Sequence, residues 1–173
     1  GTAAVAAEHT ATVALATQVE TPPETTAGWR FHLSMNSPVE EAPSIGHKTA
    51  RRLSVLGVYS VADLLDADPD EIASRLGRKW INGNTVREWQ AQAALVCRVP
   101  MLHGHDAQLL VSAGYKEPEQ FAHMSPRQLL NELQPLINSP QGARILRGSN
   151  PPDLAEVSNW IAWAQHARSL RVA

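Results

Sequence analysis

Three cations, Lys48, Arg51 and Arg52, stand at helical spacing just after the turn Pro43-Ser44-Ile45-Gly46. On a helix they share one face, while Ala50, Leu53 and Gly57 share another. Such a basic face is either a phosphate-binding patch or an ordinary solvated surface. Arg75, Arg78 and Lys79 would extend it, but Asp63, Asp66, Asp68, Asp70 and Glu71 lie between and largely cancel it. A second group, His103, His105 and Asp106 with Cys97 nearby, has the side-chain types of a transition-metal site. Zinc wants about four such ligands in a tetrahedral array, so one short cluster reads more simply as polar surface and no metal is expected. The sequence contains no nucleophile–base pairing, paired-carboxylate motif or phosphate-cradling glycine-rich run. A non-catalytic protein is expected, with no cofactor and no small-molecule substrate.

The aromatic residues divide by position. Trp80, Trp89 and Trp160 fall on helix stripes or termini and read as core. Trp163 lies off the stripe of Leu154, Val157, Trp160 and Ile161, which makes it either an interface anchor or a ring partly buried against segment 135–148. Trp29, Phe31 and Leu33 alternate in a very short extended stretch near 29–33 and are expected to pin the end of a tail onto the core, or to bind a partner.

These residues need elements to hold them, and the strongest signal is an internal repeat. A shift of 57 positions carries Pro43 onto Pro100, Ile45 onto Leu102, Ala50 onto Ala107, Leu53 onto Leu110 and Gly57 onto Gly114. The same shift carries Leu64 onto Phe121, Asp68-Pro69 onto Ser125-Pro126, Ile72 onto Leu129 and Leu76 onto Leu133. Gly57 sits where a left-handed helix cap belongs. Ser60 and Asp68-Pro69 each open a helix, Gly77 stops one, and Asn82-Gly83-Asn84 is a turn before a longer helix from Thr85 to about Arg98. The last helix opens at Pro152-Asp153 and echoes that long one, with Val86 and Trp89 matching Val157 and Trp160 at an offset of 71, an insertion of 14 residues. The chain reads as all-α, two copies of turn–helix–helix–helix–long helix.

Composition agrees. The chain of 173 residues is 43% hydrophobic and 18% charged, which suits one packed domain plus a tail. A net charge of −2 gives no global footprint for nucleic acid. The lone Cys97 fits a reducing compartment, and a cytoplasmic location is expected. No apolar run approaches the roughly 20 residues that span a bilayer, so no membrane partner is expected. No signal peptide is read, and an initial Gly in place of Met is expected of a processed or excised piece of a longer protein. A flexible tail or linker is expected over 1–37 and one domain over 38–173, with copy one at 38–98 and copy two at 99–170.

The stretch Pro43-Ser44-Ile45-Gly46-His47-Lys48-Thr49-Ala50, followed by Leu53, Gly57-Val58 and Val61-Ala62-Asp63-Leu64-Leu65, resembles the helix-hairpin-helix motif. Two linked copies look like the tandem form, and the run from about Pro38 to Arg168 is similar to the bacterial domain-of-unknown-function family 4332. The resemblance implies sequence-independent DNA binding through the first hairpin, at Ser44, Ile45, Gly46, His47 and Lys48. The amides of Gly46, His47 and Lys48 would meet a phosphate, and Arg51 and Arg52 would add charge. Ser44 replaces the first motif glycine, and the second hairpin, Met101-Leu102-His103-Gly104-His105-Asp106, has neither glycine in place and puts Asp106 where a phosphate would sit. The second copy is therefore expected to be structural. The alternative is a protein-interaction or assembly module, whether with another protein or the rest of its parent chain, using Trp163, Trp29 and Phe31 and no nucleic acid.

Overall fold

The computed structural model of the protein describes residues 25–26 and 28–170. Of the tail expected over 1–37, residues 1–24 and 27 lie outside the described residues. Eight α-helices are present among the described residues, and the fold is all-α. They are α1 (His47–Val55), α2 (Val61–Asp66), α3 (Pro69–Leu76), α4 (Gly83–Arg98), α5 (Gly104–Ser112), α6 (Pro126–Ile137), α7 (Pro140–Leu146) and α8 (Leu154–Ala164). Two short 3-10 turns, Val39–Glu41 and Pro118–Gln120, and the antiparallel pair β1 (Thr25–Thr26) and β2 (Trp29–Arg30) complete the chain.

Local chemistry explains most boundaries. A side-chain oxygen of Ser60, Asp68, Asn82, Ser125, Ser139 or Asp153 accepts from a first-turn amide of α2, α3, α4, α6, α7 or α8 respectively. Each such cap satisfies a donor that the helix itself cannot. Proline occupies the first helical position of α3, α6 and α7, where its missing N–H costs nothing. The helix α4 begins two residues before the expected Thr85. Asn82 Oδ1 accepts from the Thr85 amide at 3.0 Å and Thr85 Oγ1 accepts from the Asn82 amide at 3.2 Å, so the cap closes at residue 82 and Gly83 is already helical.

Positions 57 apart have the same backbone in several places. Ser44 and Met101 both have φ of 69°, and Gly57 and Gly114 have φ of 89° and 99°. The helix ends match too. Gly57 N donates to Ser54 O and Val58 N to Leu53 O, while Gly114 N donates to Val111 O and Tyr115 N to Leu110 O. Both are Schellman closures, whose left-handed residue favours glycine. Where the expectation called for a helix matching α2 in the second copy, the chain makes only the 3-10 turn Pro118–Gln120. Gln120 Oε1 accepts from the amides of both Lys116 and Glu117 and its Nε2 donates to Gly114 O, which ties the segment off after one turn.

A single core joins the two halves. Leu53, Leu64, Val86, Leu95, Leu110, Phe121, Leu129, Leu133 and Val157 are fully buried within it. α4 packs on α3 and on α5, and α6 packs on α5, α7 and α8. Trp89 and Trp160 are buried as expected, but Trp80 is not: it precedes α4 in a link and stands 67% exposed. The periodicity that buries Trp89 does not extend back across the Asn82 cap.

Residues 29–37 lie on this domain. Met101 N donates to Arg30 O at 2.6 Å, and Val61 N and Ala62 N donate to Ser37 O and Met35 O. The Arg168 guanidinium lies 3.8 Å from the Phe31 ring centre and donates to Leu33 O, and Leu33 is buried. Trp29 sits against His166 with ring centres 4.8 Å apart.

Candidate nucleic-acid interface

The first hairpin is held from below by side chains distant in sequence. Ser44, in a left-handed conformation that costs a non-glycine residue energy, donates its hydroxyl to Gln92 Oε1 at 2.6 Å and accepts from Gln108 Nε2 at 2.9 Å. Gln92 is only 4% exposed, so this bond satisfies a polar group that would otherwise be stranded in the core. Ile45 is buried and its amide bonds to Ala42 O, which makes it an anchor and leaves it no free donor. Pro43 is buried against α5: a Cβ added to Gly104 would meet Pro43 Cγ at 3.4 Å.

The anchored turn then releases the chain into α1. Gly46 is its N-cap in extended geometry and supplies no side-chain cap, and α1 has no acidic residue in its first turn. The first-turn amides and the positive end of the helix dipole therefore meet no carboxylate of their own helix. His47 and Lys48 are exposed beside them, and the His47 ring is 3.3 Å from the exposed carboxylate of Glu40. Lys48, Arg51 and Arg52 take part in none of the ion pairs among the described residues. With Val55 they line an open depression of about 370 Å³.

Four of the five acidic residues expected to cancel this patch, Asp63, Asp68, Asp70 and Glu71, are engaged elsewhere. Asp63 accepts from the Tyr59 and Ser60 amides, which hold its carboxyl below the ordinary range. Asp68 caps α3, Asp70 pairs with Arg87 at 2.6 Å, and Glu71 pairs with Arg75 at 4.0 Å.

The second hairpin has the same turn and different chemistry. Asp106 Oδ2 accepts from the His103 amide at 3.0 Å, so the acid closes the start of α5. It is 5% exposed, and burial pushes its carboxyl above the ordinary value despite the pull of the His103 amide and of His105. The N-terminal strap lies against this turn, although His103 and His105 stay exposed. Arg30 O takes the Met101 amide, Arg30 N approaches Met101 Sδ at 3.3 Å, and His32 stacks on His103 with ring centres 4.3 Å apart. Burial, then His103 and Arg30, lower the pKa of His32. Cys97 is fully buried, and its thiol is pushed up to about 12 by burial. Among the described residues no group of three or more His, Cys, Asp or Glu is arranged to hold a metal ion.

Of the residues proposed for protein contact, Trp29 and Phe31 are used within the chain, as described above, and Trp163 is partly buried against the core. Sequence reasoning missed Gln92 and Gln108. The available signal was Gln92 itself, a polar residue beside the apolar stripe of Trp89, Ala93 and Val96.

A family comparison covers this same region. The model of the family described as a domain of unknown function, DUF4332, matches residues 43–167. The chain belongs to the DUF4332 family. The match begins at Pro43, the first residue of the first hairpin, and ends one residue before Arg168, so this DUF4332 domain contains both hairpins and all eight described helices. Neither the curated proteins nor the solved structures contain a match to it. Among the described residues no helix is long and apolar enough to cross a membrane.

Proposed function

We propose that this DUF4332 domain is a non-catalytic tandem helix-hairpin-helix module that binds the nucleic-acid backbone without regard to sequence, through its first hairpin. The paired turns at Ser44 and Met101, each followed by a buried aliphatic residue and a nine-residue helix, support the tandem reading. One observation carries the binding: α1 begins without a side-chain cap and beside three cations that have no carboxylate partner among the described residues. A phosphate oxygen supplies what that helix start lacks, an anionic acceptor for its amides. Lys48, Arg51 and Arg52 add charge without reading bases.

The test is an anisotropy titration of labelled duplex DNA over a range of salt. With two to three cations engaged, log affinity is expected to fall against log salt with a slope of about −2 to −3. Lys48→Glu/Arg51→Glu should lower affinity about tenfold to a hundredfold at low salt while leaving the thermal transition in place. Equal, weak binding of wild type and variant at low salt would remove the proposal.

A second reading, a protein-interaction module, has its own observation. Val55 is 83% exposed and Tyr59 64% exposed, both near the far end of α1. Salt-tolerant self-association lost in Val55→Ser/Tyr59→Ala would favour it.

A further inference from the structure

Trp80 has a setting unlike that of the other exposed apolar side chains. It stands in the link between α3 and α4 with its backbone held on both sides. Ile81, the next residue, is buried, and its amide donates to Arg78 O at 3.0 Å. The Trp80 carbonyl accepts from Thr85 Oγ1 at 3.5 Å, within the capping box that opens α4. A large flat ring shown on a constrained backbone loses little freedom when it is covered.

Two cations stand beside it, and the nearby Asp70 carboxylate is paired with Arg87. The Arg78 guanidinium carbon is 5.9 Å from the Trp80 ring centre, and Lys79 is exposed alongside. Neither cation joins an ion pair among the described residues. A cation over one face of the indole leaves the other face for a flat partner, and two positive charges beside it suit an anion joined to that partner. An unpaired nucleotide has both parts, a π-face and a phosphate.

Placement links this ring to the first hairpin. Thr85, which holds the Trp80 carbonyl, and Gln92, which holds Ser44, are seven residues apart on α4. Two turns of helix put them on one face, about 10 Å apart along the axis. The Trp80 link and the first hairpin are thus set along the same side of α4.

We infer that Trp80, with Arg78 and Lys79, is a stacking platform for an unpaired base, so that this domain takes single-stranded nucleic acid in preference to duplex. This deepens the backbone-binding proposal and rests on it. The test measures the full chain against a labelled oligo-dT of roughly 12 nucleotides and a duplex of equal length. Trp80→Ala should weaken oligo-dT binding by about 5-fold to 100-fold, the effect of losing one stacked base. Trp80→Phe should restore most of it, and duplex affinity should stay unchanged in both. If Trp80→Ala leaves oligo-dT binding intact while Lys48→Glu/Arg51→Glu lowers it, the platform is overturned and the hairpin proposal survives. Equal losses on oligo-dT and duplex in Trp80→Ala also overturn base stacking. Wild type that binds neither probe removes both proposals.

Discussion

At the first hairpin the helix start has no side-chain cap and Lys48, Arg51 and Arg52 join no ion pair among the described residues; at the second, Asp106 closes the helix start and the strap from Trp29 to Leu33 lies against the turn. The two turns share a left-handed residue, a buried aliphatic residue and a glycine-closed helix. They differ at the positions a ligand would meet, since Lys48, Arg51 and Arg52 correspond to His105, Gln108 and Leu109. Packing and backbone geometry are thus held in common while surface chemistry has separated. A shared hairpin does not imply a shared role. On the proposed backbone-binding reading, what would separate the two is whether the amides at the helix start still need an acceptor.

The comparison can be broken first at its common part. Leu53 and Leu110 are equivalent and fully buried, and Leu→Ala at either should cost about 2–5 kcal/mol in chemical denaturation. Similar losses would show that both hairpins are braced alike. A large loss at one alone would show that only that half is under tight packing.

The next test addresses the difference. Lys48→Glu/Arg51→Glu should lower DNA affinity about tenfold to a hundredfold at low salt, with screening reducing the gap as salt rises. The matching change in the second hairpin, His105→Glu, should leave affinity unaltered. A comparable loss there would mean that both hairpins touch the ligand.

Gly57→Ala and Gly114→Ala form a finer pair. Nothing lies within 4 Å of an added Cβ at either site, so the cost is that of the left-handed backbone alone, about 1–2 kcal/mol in thermal unfolding. The two values should agree.

The smallest effects concern two capping acids, one in each half, whose titrations are displaced in opposite directions. Asp63 is lowered by the Tyr59 and Ser60 amides, so its contribution is complete above the ordinary value of 3.8 and is lost as pH falls through the folded-state value. Asp106 is raised by burial, so the native state keeps its proton longer than the unfolded chain, and stability declines as pH rises from 3.8 through the folded-state value. Asp63→Asn should flatten the acid side of a stability–pH profile, and Asp106→Asn should remove the decline. Denaturation midpoints across that pH range would read both.

The features legible in the sequence were those settled within a few residues. Ser60, Asp68 and Gly77 marked helix ends because a cap is a bond between near neighbours. The correspondence at 57 positions was legible in apolar residues and glycines because burial and left-handed backbone admit few substitutes. The same local logic placed the α4 start two residues late, since a glycine in a first helical turn looks like a loop. It also assigned Trp80 to the core, since an aromatic residue near a helix end carries no mark of which way it faces.

The all-α class, the helix order, the matched turns at Ser44 and Met101 and the basic face of α1 were set by the chain itself, through short-range bonds, steric limits on φ and a 3.6-residue period. Tertiary structure alone decided that Ser44 bonds to Gln92 and Gln108, that Arg30 and His32 contact Met101 and His103, that Asp106 is buried and that Trp80 is exposed. Most of these are relations between residues tens of positions apart, and all depend on how the helices pack. No local rule brings such groups together; only the closing of one core over both halves does.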